Sequence, residues 1–303
     1  MNDAGRSAFL SELRRRCPSM RILEKEPMAR HTSFRIGGEC DAMLFPSSVQ
    51  EVLAAAQLLS AAGEEPLVIG NGTNLLVTGA PLHRIVLRMG EAFSHVEASG
   101  TGLTAYAGIT LARLAAAAQR RGLSGLEFAH GIPGTLGGAV GMNAGAYGGE
   151  MKDVVTSVTW LDSQLRIRSG SDTGMSYRHS RFSDTGDIIL TADISLCEDD
   201  PEAVRDRMDA LLERRRASQP LDIPSAGSTF KRPEGGYAAE LIDRAGLKGF
   251  AIGGAQVSQK HAGFVINRGG ATFDDVLALI GHIQREVLRM SGISLEPEIK
   301  IIR

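Results

Sequence analysis

Three short stretches hold residue types that could bind charge or move a proton. In MSYRHSRFSD (175–184), Tyr177, Arg178, His179 and Arg181 form a basic and aromatic cluster. An arginine there can grip a carboxylate through two parallel N–H bonds, although a solvated basic loop would have the same composition. In PSAGSTFKRP (224–233), Pro224 and Pro233 bracket a serine and glycine turn that runs into Lys231 and Arg232. A serine in such a turn can donate a hydrogen bond or a proton, but no histidine adjoins it as a base and no GxSxG elbow is present, so a plain turn is the simpler reading. In ISLEPEIKIIR (293–303), strand alternation sets Glu296, Glu298 and Lys300 on one face and Leu295, Pro297, Ile299 and Ile301 on the other. Carboxylates two apart on one face can hold a charge or a proton beside a bound molecule, and a solvated edge strand is the alternative.

Two glycine-rich stretches could bind a ligand through backbone alone. VIGNGTNLLV (68–77) runs from an apolar strand into Gly70–Asn74 and out into another apolar run. That pattern suits either a hairpin turn or a nest of outward N–H groups that binds phosphate. It lacks the third glycine of a dinucleotide fingerprint and the GK[ST] of a P-loop. GIPGTLGGAVGMNAGAYGGE (131–150) carries eight glycines in twenty residues. Ile132, Pro133, Leu136, Val140 and Met142 are interleaved, which a flexible linker would not have. Glycine at this density lets backbone lie close to a flat or anionic ligand, or to a neighbouring helix or strand.

These stretches need a scaffold, and the rest of the chain supplies one. With 43% apolar and 22% charged residues among 303, a packed core is expected. The net charge of −2 argues against nucleic acid and membrane surfaces as partners. No run approaches the roughly 18 apolar residues of a membrane span, and the N-terminus has no signal-peptide core. Cys17, Cys40 and Cys197 are scattered and odd in number, so they read as reduced thiols of a cytoplasmic protein. Helices are expected at 48–63 (Ser48 and Glu51 as a capping box, Gly63 as a stop), at 110–122, and at 272–292 (Thr272 with Asp275, Gly292 as a stop). In the last of these Val276, Leu277, Ile280, Ile283, Val287 and Leu288 would form the buried face. Residues 1–25 suggest a surface helix. Strands are expected at 65–70, 84–89, 157–163, 187–196, 253–258, 262–269 and 295–302. Helices and strands intermix, which makes the class α+β or α/β. Breaks near 79–84 and 215–225 divide the chain into 1–80, 81–215 and 216–303.

The order of the stretches is more telling than any one of them. HTSFRIGG (31–38), GNGTNLL (70–76), the 131–150 run, SYRHSRF (176–182), AGSTFKRP (226–233), GGAQVSQKHAGFVIN (253–267) and LEPEIKII (295–302) together closely resemble the UDP-N-acetylenolpyruvoylglucosamine reductase family. The resemblance runs from about residue 30 to the end. It points to the shorter type in that family, because no inserted substrate-covering loop interrupts 147–230.

The resemblance implies an α+β protein: two FAD-binding subdomains of the vanillyl-alcohol-oxidase type, 1–80 and 81–215, and a C-terminal α/β substrate-binding domain, 216–303. It implies non-covalent FAD, NADPH as co-substrate, and reduction of the enolpyruvyl ether of UDP-N-acetylglucosamine to UDP-N-acetylmuramate for peptidoglycan, by a cytoplasmic monomer. FAD contacts would come from Arg35, Ile69, Gly70, Asn71, Gly72, Thr73, Asn74 and Leu75, and from Gly131, Ile132, Pro133, Gly134, Gly138, Met142, Asn143, Ala144 and Gly145. By motif match, Arg178 and Glu298 would stabilise the enolate-like charge that forms as hydride reaches C3, and Ser228 would protonate C2. Glu298 would then need a raised pKa or a proton shared with the substrate carboxylate; Glu296 is its runner-up. Tyr147 and Lys231 would touch substrate. Arg232 stands where many relatives have Asn, so no hydrogen bond is carried over to that position, although a cation there still suits a UDP phosphate. The competing readings are an FAD oxidase or dehydrogenase of the same fold, disfavoured by LEPEIKII and AGSTFK, and a nucleotide-sugar-binding regulator without catalysis, disfavoured by the intact Arg178, Ser228 and Glu298.

Overall fold

The computed structural model describes all residues, Met1–Arg303. The chain groups into two compact units. The first comprises 1–25, 41–71 and 83–213; the second comprises 26–40, 72–82 and 214–303. Early segments are needed by the second unit: Leu75–Val77 pairs in parallel with Lys300–Ile302, and Gly38 N–H donates to the Thr78 carbonyl at 2.7 Å.

Two larger sheets lie mainly within the first unit. One has the strand order Arg21–Pro27, Glu39–Phe45, Leu82–Arg88, Leu67–Ile69, the last pair parallel. This pairing places 82–88 with the N-terminal sheet, so the division between the sheets follows residue 88, not 80. The other is antiparallel, in the order Ile167–Gly170, Val155–Leu161, Ile188–Ser195, Gly102–Tyr106, Val96–Ser99. Helices α1 (Asp3–Arg16), α2 (Val49–Ala61), α3 (Leu111–Gln119) and α4 (Leu136–Gly141) contribute to one core with Leu44, Leu87, Leu103 and Val158. The N-terminal helix is therefore not merely superficial, since Phe9, Leu10 and Leu13 are buried in that core. A fully buried side chain of this size contributes about 1.5–3 kcal/mol relative to an exposed one.

The capping signals set the helix ends. Ser48 Oγ accepts from Glu51 N–H at 3.2 Å, and Thr110 Oγ1 accepts from Arg113 N–H at 3.3 Å. The α2 box differs in one detail: the Glu51 carboxylate reaches back to Ser47 N–H at 2.6 Å, one residue before the cap. Gly63 and Gly122 end their helices at positive φ, 69° and 65°, where a side chain is disfavoured.

Helix α5 (Pro201–Ser218) leads into the second unit. There a four-stranded antiparallel sheet runs Ser225–Ser228, Phe264–Asn267, Ala255–Val257, Ala251–Ile252. Helices α6 (Ala238–Arg244) and α7 (Phe273–Ser291) pack with it. The expected α7 caps are present, with a reciprocal Thr272–Asp275 box and Gly292 at φ 72°. Its buried face is Val276, Leu279, Ile280, Ile283 and Val287, whereas Leu288 is 49% exposed. Phe34, Ile36 and Leu76 complete this core from the early segments. No helix is long and apolar enough to cross a membrane.

Candidate active site

In the first unit the two glycine stretches meet. Asn71 Nδ2 donates to the Pro133 carbonyl at 3.2 Å. A Cβ on Gly70 would stand 2.1 Å from Thr135 Oγ1, so this approach requires glycine. The hairpin alternative for 70–74 is excluded, because the flanking strands pair in parallel with different partners, 82–88 and 300–302. A hairpin joins two mutually antiparallel strands. Ile69 is buried at the end of one strand and Leu75 opens the next, so only 70–74 forms the loop.

Helix α4 shows why its glycines are where they are. Leu136, Ala139 and Val140 are buried in the core. Gly137 backs onto Ala107, whose Cβ would lie 2.9 Å from an added Cβ. Gly138 is exposed, and a Cβ there would meet only Thr135 Oγ1 at 3.7 Å, an ordinary contact. A Cβ on Gly141 would meet only Ile189 Cδ1 at 3.9 Å. Packing within the protein does not demand glycine at 138 or 141, yet each costs about 1 kcal/mol of helix propensity relative to alanine. The helix thus presents a bare backbone face that a flat ligand can approach. Around it Gly131, Ile132, Gly134 and Met142 are half-buried, Pro133 is exposed and Ala144 is buried.

Next comes a hairpin, Gly145–Ala146 against Gly149–Glu150. Tyr147 and Gly148 form its two-residue tip with φ 54° and 91°, as a type I′ turn requires. A second tight turn carries Arg178: Ser176 and His179 exchange backbone hydrogen bonds at 2.9 and 3.2 Å, and Arg178 has φ 54°. Arg178 Nη2 donates to the Gly145 carbonyl at 3.3 Å, and the guanidinium lies 5.3 Å from the Tyr177 ring centre. His179 Nε2 lies 3.0 Å from Asp184 Oδ2. Of the non-glycine residues with positive φ, Arg35, Asn143, Tyr147 and Arg178 are candidate site residues, leaving only Lys25 and Leu165 elsewhere. Such strain persists only where surrounding structure enforces it, and it gathers at functional sites.

Asn143 differs from its expected role as a cofactor handle. It is 0% exposed, and its amide is spent within the unit, on Glu150 Oε2 at 2.9 Å, the Ser176 carbonyl at 2.8 Å and Lys152 N–H at 2.9 Å. Only its backbone is left for a cofactor. The Lys152 ammonium, 2.7 Å from Glu150, holds that carboxyl below its ordinary range against the opposing effect of burial, helped by Asn143 and the charge of Arg178.

In the second unit Ser228 ends its strand opposite Phe264, after a bulge at which Gly227 has φ 79°. From there the chain runs antiparallel to the C-terminal segment. Glu298 N–H donates to the Thr229 carbonyl at 2.8 Å, and Lys231 N–H donates to the Glu296 carbonyl at 2.9 Å. Phe230 bridges Pro297. Ser228 and Glu298 therefore sit on adjoining segments. The expected strand over 295–302 is regular only at Lys300–Ile302, because the preceding residues pair with 229–231 instead. The two carboxylates part company: Glu296 is exposed and bound to Lys231 Nζ at 2.5 Å, while Glu298 is half-buried. That pairing engages Lys231 as well. Asn74 Nδ2 donates to the Glu298 carbonyl at 3.2 Å, a tie that no local pattern signals. Gly72, at φ 61°, lies where a Cβ would be 2.1 Å from the His31 carbonyl, and Thr73 beside it is half-buried. Arg35, at φ 56°, is exposed between buried Phe34 and Ile36. Arg232 lies 3.8 Å over the Tyr237 ring.

Comparison with known proteins decides the family. A model described as "UDP-N-acetylenolpyruvoylglucosamine reductase, C-terminal domain" matches residues 219–302, and one described as "FAD binding domain" matches 40–168. The UDP-N-acetylenolpyruvoylglucosamine reductase of Caldanaerobacter subterraneus is 49% identical over 279 residues, 91% of this chain and 92% of its own length. That of Agathobacter rectalis is 43% identical over 97% of this chain and 98% of its own. The chain belongs to the UDP-N-acetylenolpyruvoylglucosamine reductase family. The crystal structure of the Thermus caldophilus reductase matches with a TM-score of 0.82 at 32% identity, covering 94% of this chain and 100% of that one. This reductase is thus an FAD-dependent oxidoreductase of peptidoglycan synthesis, with NADPH as reductant. Its residues fit the cofactor: the bare face of α4 leaves room that side chains would fill.

Proposed function

We propose that Arg178, Ser228 and Glu298 act on the enolpyruvyl group of the UDP-sugar. Bound FAD supplies the hydride chemistry; the chain supplies the charge and proton handling. As negative charge grows at C2 and spreads into the carboxylate, the Arg178 guanidinium stabilises it. Glu298, holding a proton or sharing one with the substrate carboxylate, adds a hydrogen bond where an ionised carboxylate would repel. Ser228 Oγ gives its proton to C2, a transfer that a strongly basic enolate in a dry site makes feasible. Tyr147 and Lys231 contact the substrate, and Lys231 exchanges its Glu296 partner for it.

The FAD contacts are drawn from Arg35, from Ile69–Leu75 with Gly70, Asn71, Gly72, Thr73 and Asn74, and from Gly131–Gly145. In that last segment Gly134, Gly138, Met142, Ala144 and the backbone of Asn143 line the cofactor. The observation that supports the catalytic reading is the seating of 229–231 along 296–298, which brings the segments carrying Ser228 and Glu298 together while Glu296 is taken by Lys231. Separate measurement of the two half-reactions in Ser228→Ala tests it. The same proposal has the enzyme working as a monomer in the cytoplasm, and light scattering from the purified protein would read the mass of one chain.

A further inference from the structure

We infer that Asn143 is a positioning residue for Arg178; the inference rests on the proposed role of Arg178 and deepens it. Both hydrogens of the Asn143 amide are used, one on Glu150 Oε2 at 2.9 Å and one on the Ser176 carbonyl at 2.8 Å. Its oxygen accepts from Lys152 N–H at 2.9 Å. One buried side chain thus joins the Glu150 carboxylate at the end of the 145–150 hairpin and the Lys152 backbone just after it to the foot of the 176–179 turn, 33 residues away. The other foot of that turn is also pinned, since Ser180 Oγ and Ser183 Oγ donate to the Gly141 carbonyl at 2.7 and 2.8 Å. Between these anchors the only freedom left is at the tip, where Tyr177 and Arg178 sit. Arg178 then reaches the Gly145 carbonyl at 3.3 Å.

The donor pattern makes the amide irreplaceable by its near-isosteres. Two acceptors and one donor surround it, and only an amide in this orientation matches them. Aspartate of the same shape would set an oxygen against the Glu150 carboxylate and the Ser176 carbonyl together. Leucine would leave the Ser176 carbonyl and the Lys152 N–H without this partner, and the Glu150 carboxylate with the Lys152 ammonium alone. Residue 143 also holds φ 45°, which asparagine tolerates better than most residues. Arg178 is thereby fixed by a network that never touches the substrate, and displacing it by about 1 Å is enough to cost up to about 100-fold in rate.

Asn143→Asp is the test, with Arg178→Ala alongside. Three quantities are read: FAD content and NADPH-driven reduction, the rate at which the enolpyruvyl UDP-sugar reoxidises the reduced enzyme, and amide hydrogen exchange over 176–179 without substrate. The expected result is a fall of about 10- to 100-fold in the second beyond any change in the first, with quickened exchange over 176–179. The double variant Asn143→Asp/Glu150→Gln restores a donor–acceptor pair between 143 and 150 but not the bond to Ser176. Recovery of melting temperature with the substrate step still slow supports positioning; recovery of both overturns it. If Arg178→Ala leaves the substrate step unchanged, the Arg178 reading fails and takes this inference with it. If Arg178→Ala slows that step and Asn143→Asp does not, only the positioning inference fails. Should Asn143→Asp not fold, Ser180→Ala/Ser183→Ala decides, because together they cut the opposite anchor: unchanged exchange and rate there contradict the inference.

Discussion

The side-chain amide of Asn71 donates to the carbonyl of Pro133 at 3.2 Å, joining two glycine segments that lie 62 residues apart in the chain. Together with the Gly70–Thr135 approach, this bond makes one surface from GNGTN and GIPGT. Two glycines on that surface have opposite reasons for being glycine, and the difference can be measured.

At Gly70 the protein itself excludes a side chain, while at Gly138 it does not. Gly70→Ala should therefore destabilise the FAD-free protein. Gly138→Ala should leave the FAD-free melting temperature unchanged or raise it, by up to about 1 kcal/mol of helix propensity, while weakening FAD binding. Melting curves and flavin titration on both variants check this. A Gly138→Ala protein that binds FAD as tightly as the parent would remove the argument from the bare helix face.

Ser228→Ala should keep NADPH-driven reduction at the parental rate and slow reoxidation by the UDP-sugar by two orders of magnitude or more, about what general acid catalysis contributes. Rapid-mixing kinetics on each half separates the outcomes. Equal loss in both halves contradicts the proton-donor role.

Arg178→Ala should depress kcat of the substrate half more than it raises KM, because the charge it meets develops only in the transition state. Arg178→Lys should recover little, since an ammonium cannot reproduce the two-pronged geometry. A pure KM effect would reassign Arg178 to ground-state binding.

Asp41 gives a prediction in pH. Burial pushes its carboxyl up, but Lys25 Nζ at 2.9 Å, with Arg6 and His83, outweighs this, and the net shift is below the ordinary 3.8. A depressed native pKa stabilises the fold fully above the unfolded-state value and loses that contribution as pH falls through the lower native one. Asp41→Asn should thus lower the melting temperature near neutrality and flatten its decline below about pH 4. An unaltered acid limb would show that Asp41 is not coupled to folding.

What could be read in the sequence was local. Ser48, Thr110 and Thr272 announce helix starts because capping acts within three residues, and Gly63, Gly122 and Gly292 announce ends for the same reason. The catalytic candidates were found as ordered motifs, but their surroundings were not. That 75–77 pairs with 300–302 depends on contacts more than 200 residues apart, and strand periodicity is silent about partners. The extended pattern of 293–303 misled for a related reason: it is satisfied against 229–231, not within a regular strand. Asn143 is expected among the FAD contacts by resemblance, whereas its buried amide is turned inward.

The most direct measurement is anaerobic stopped-flow spectroscopy of the FAD-loaded protein, with NADPH added first and the enolpyruvyl UDP-sugar second. The account predicts that flavin absorbance is bleached by NADPH and restored by the sugar nucleotide, with UDP-N-acetylmuramate formed in equal amount. A protein whose bleached flavin is restored by oxygen but not by the sugar nucleotide would contradict it.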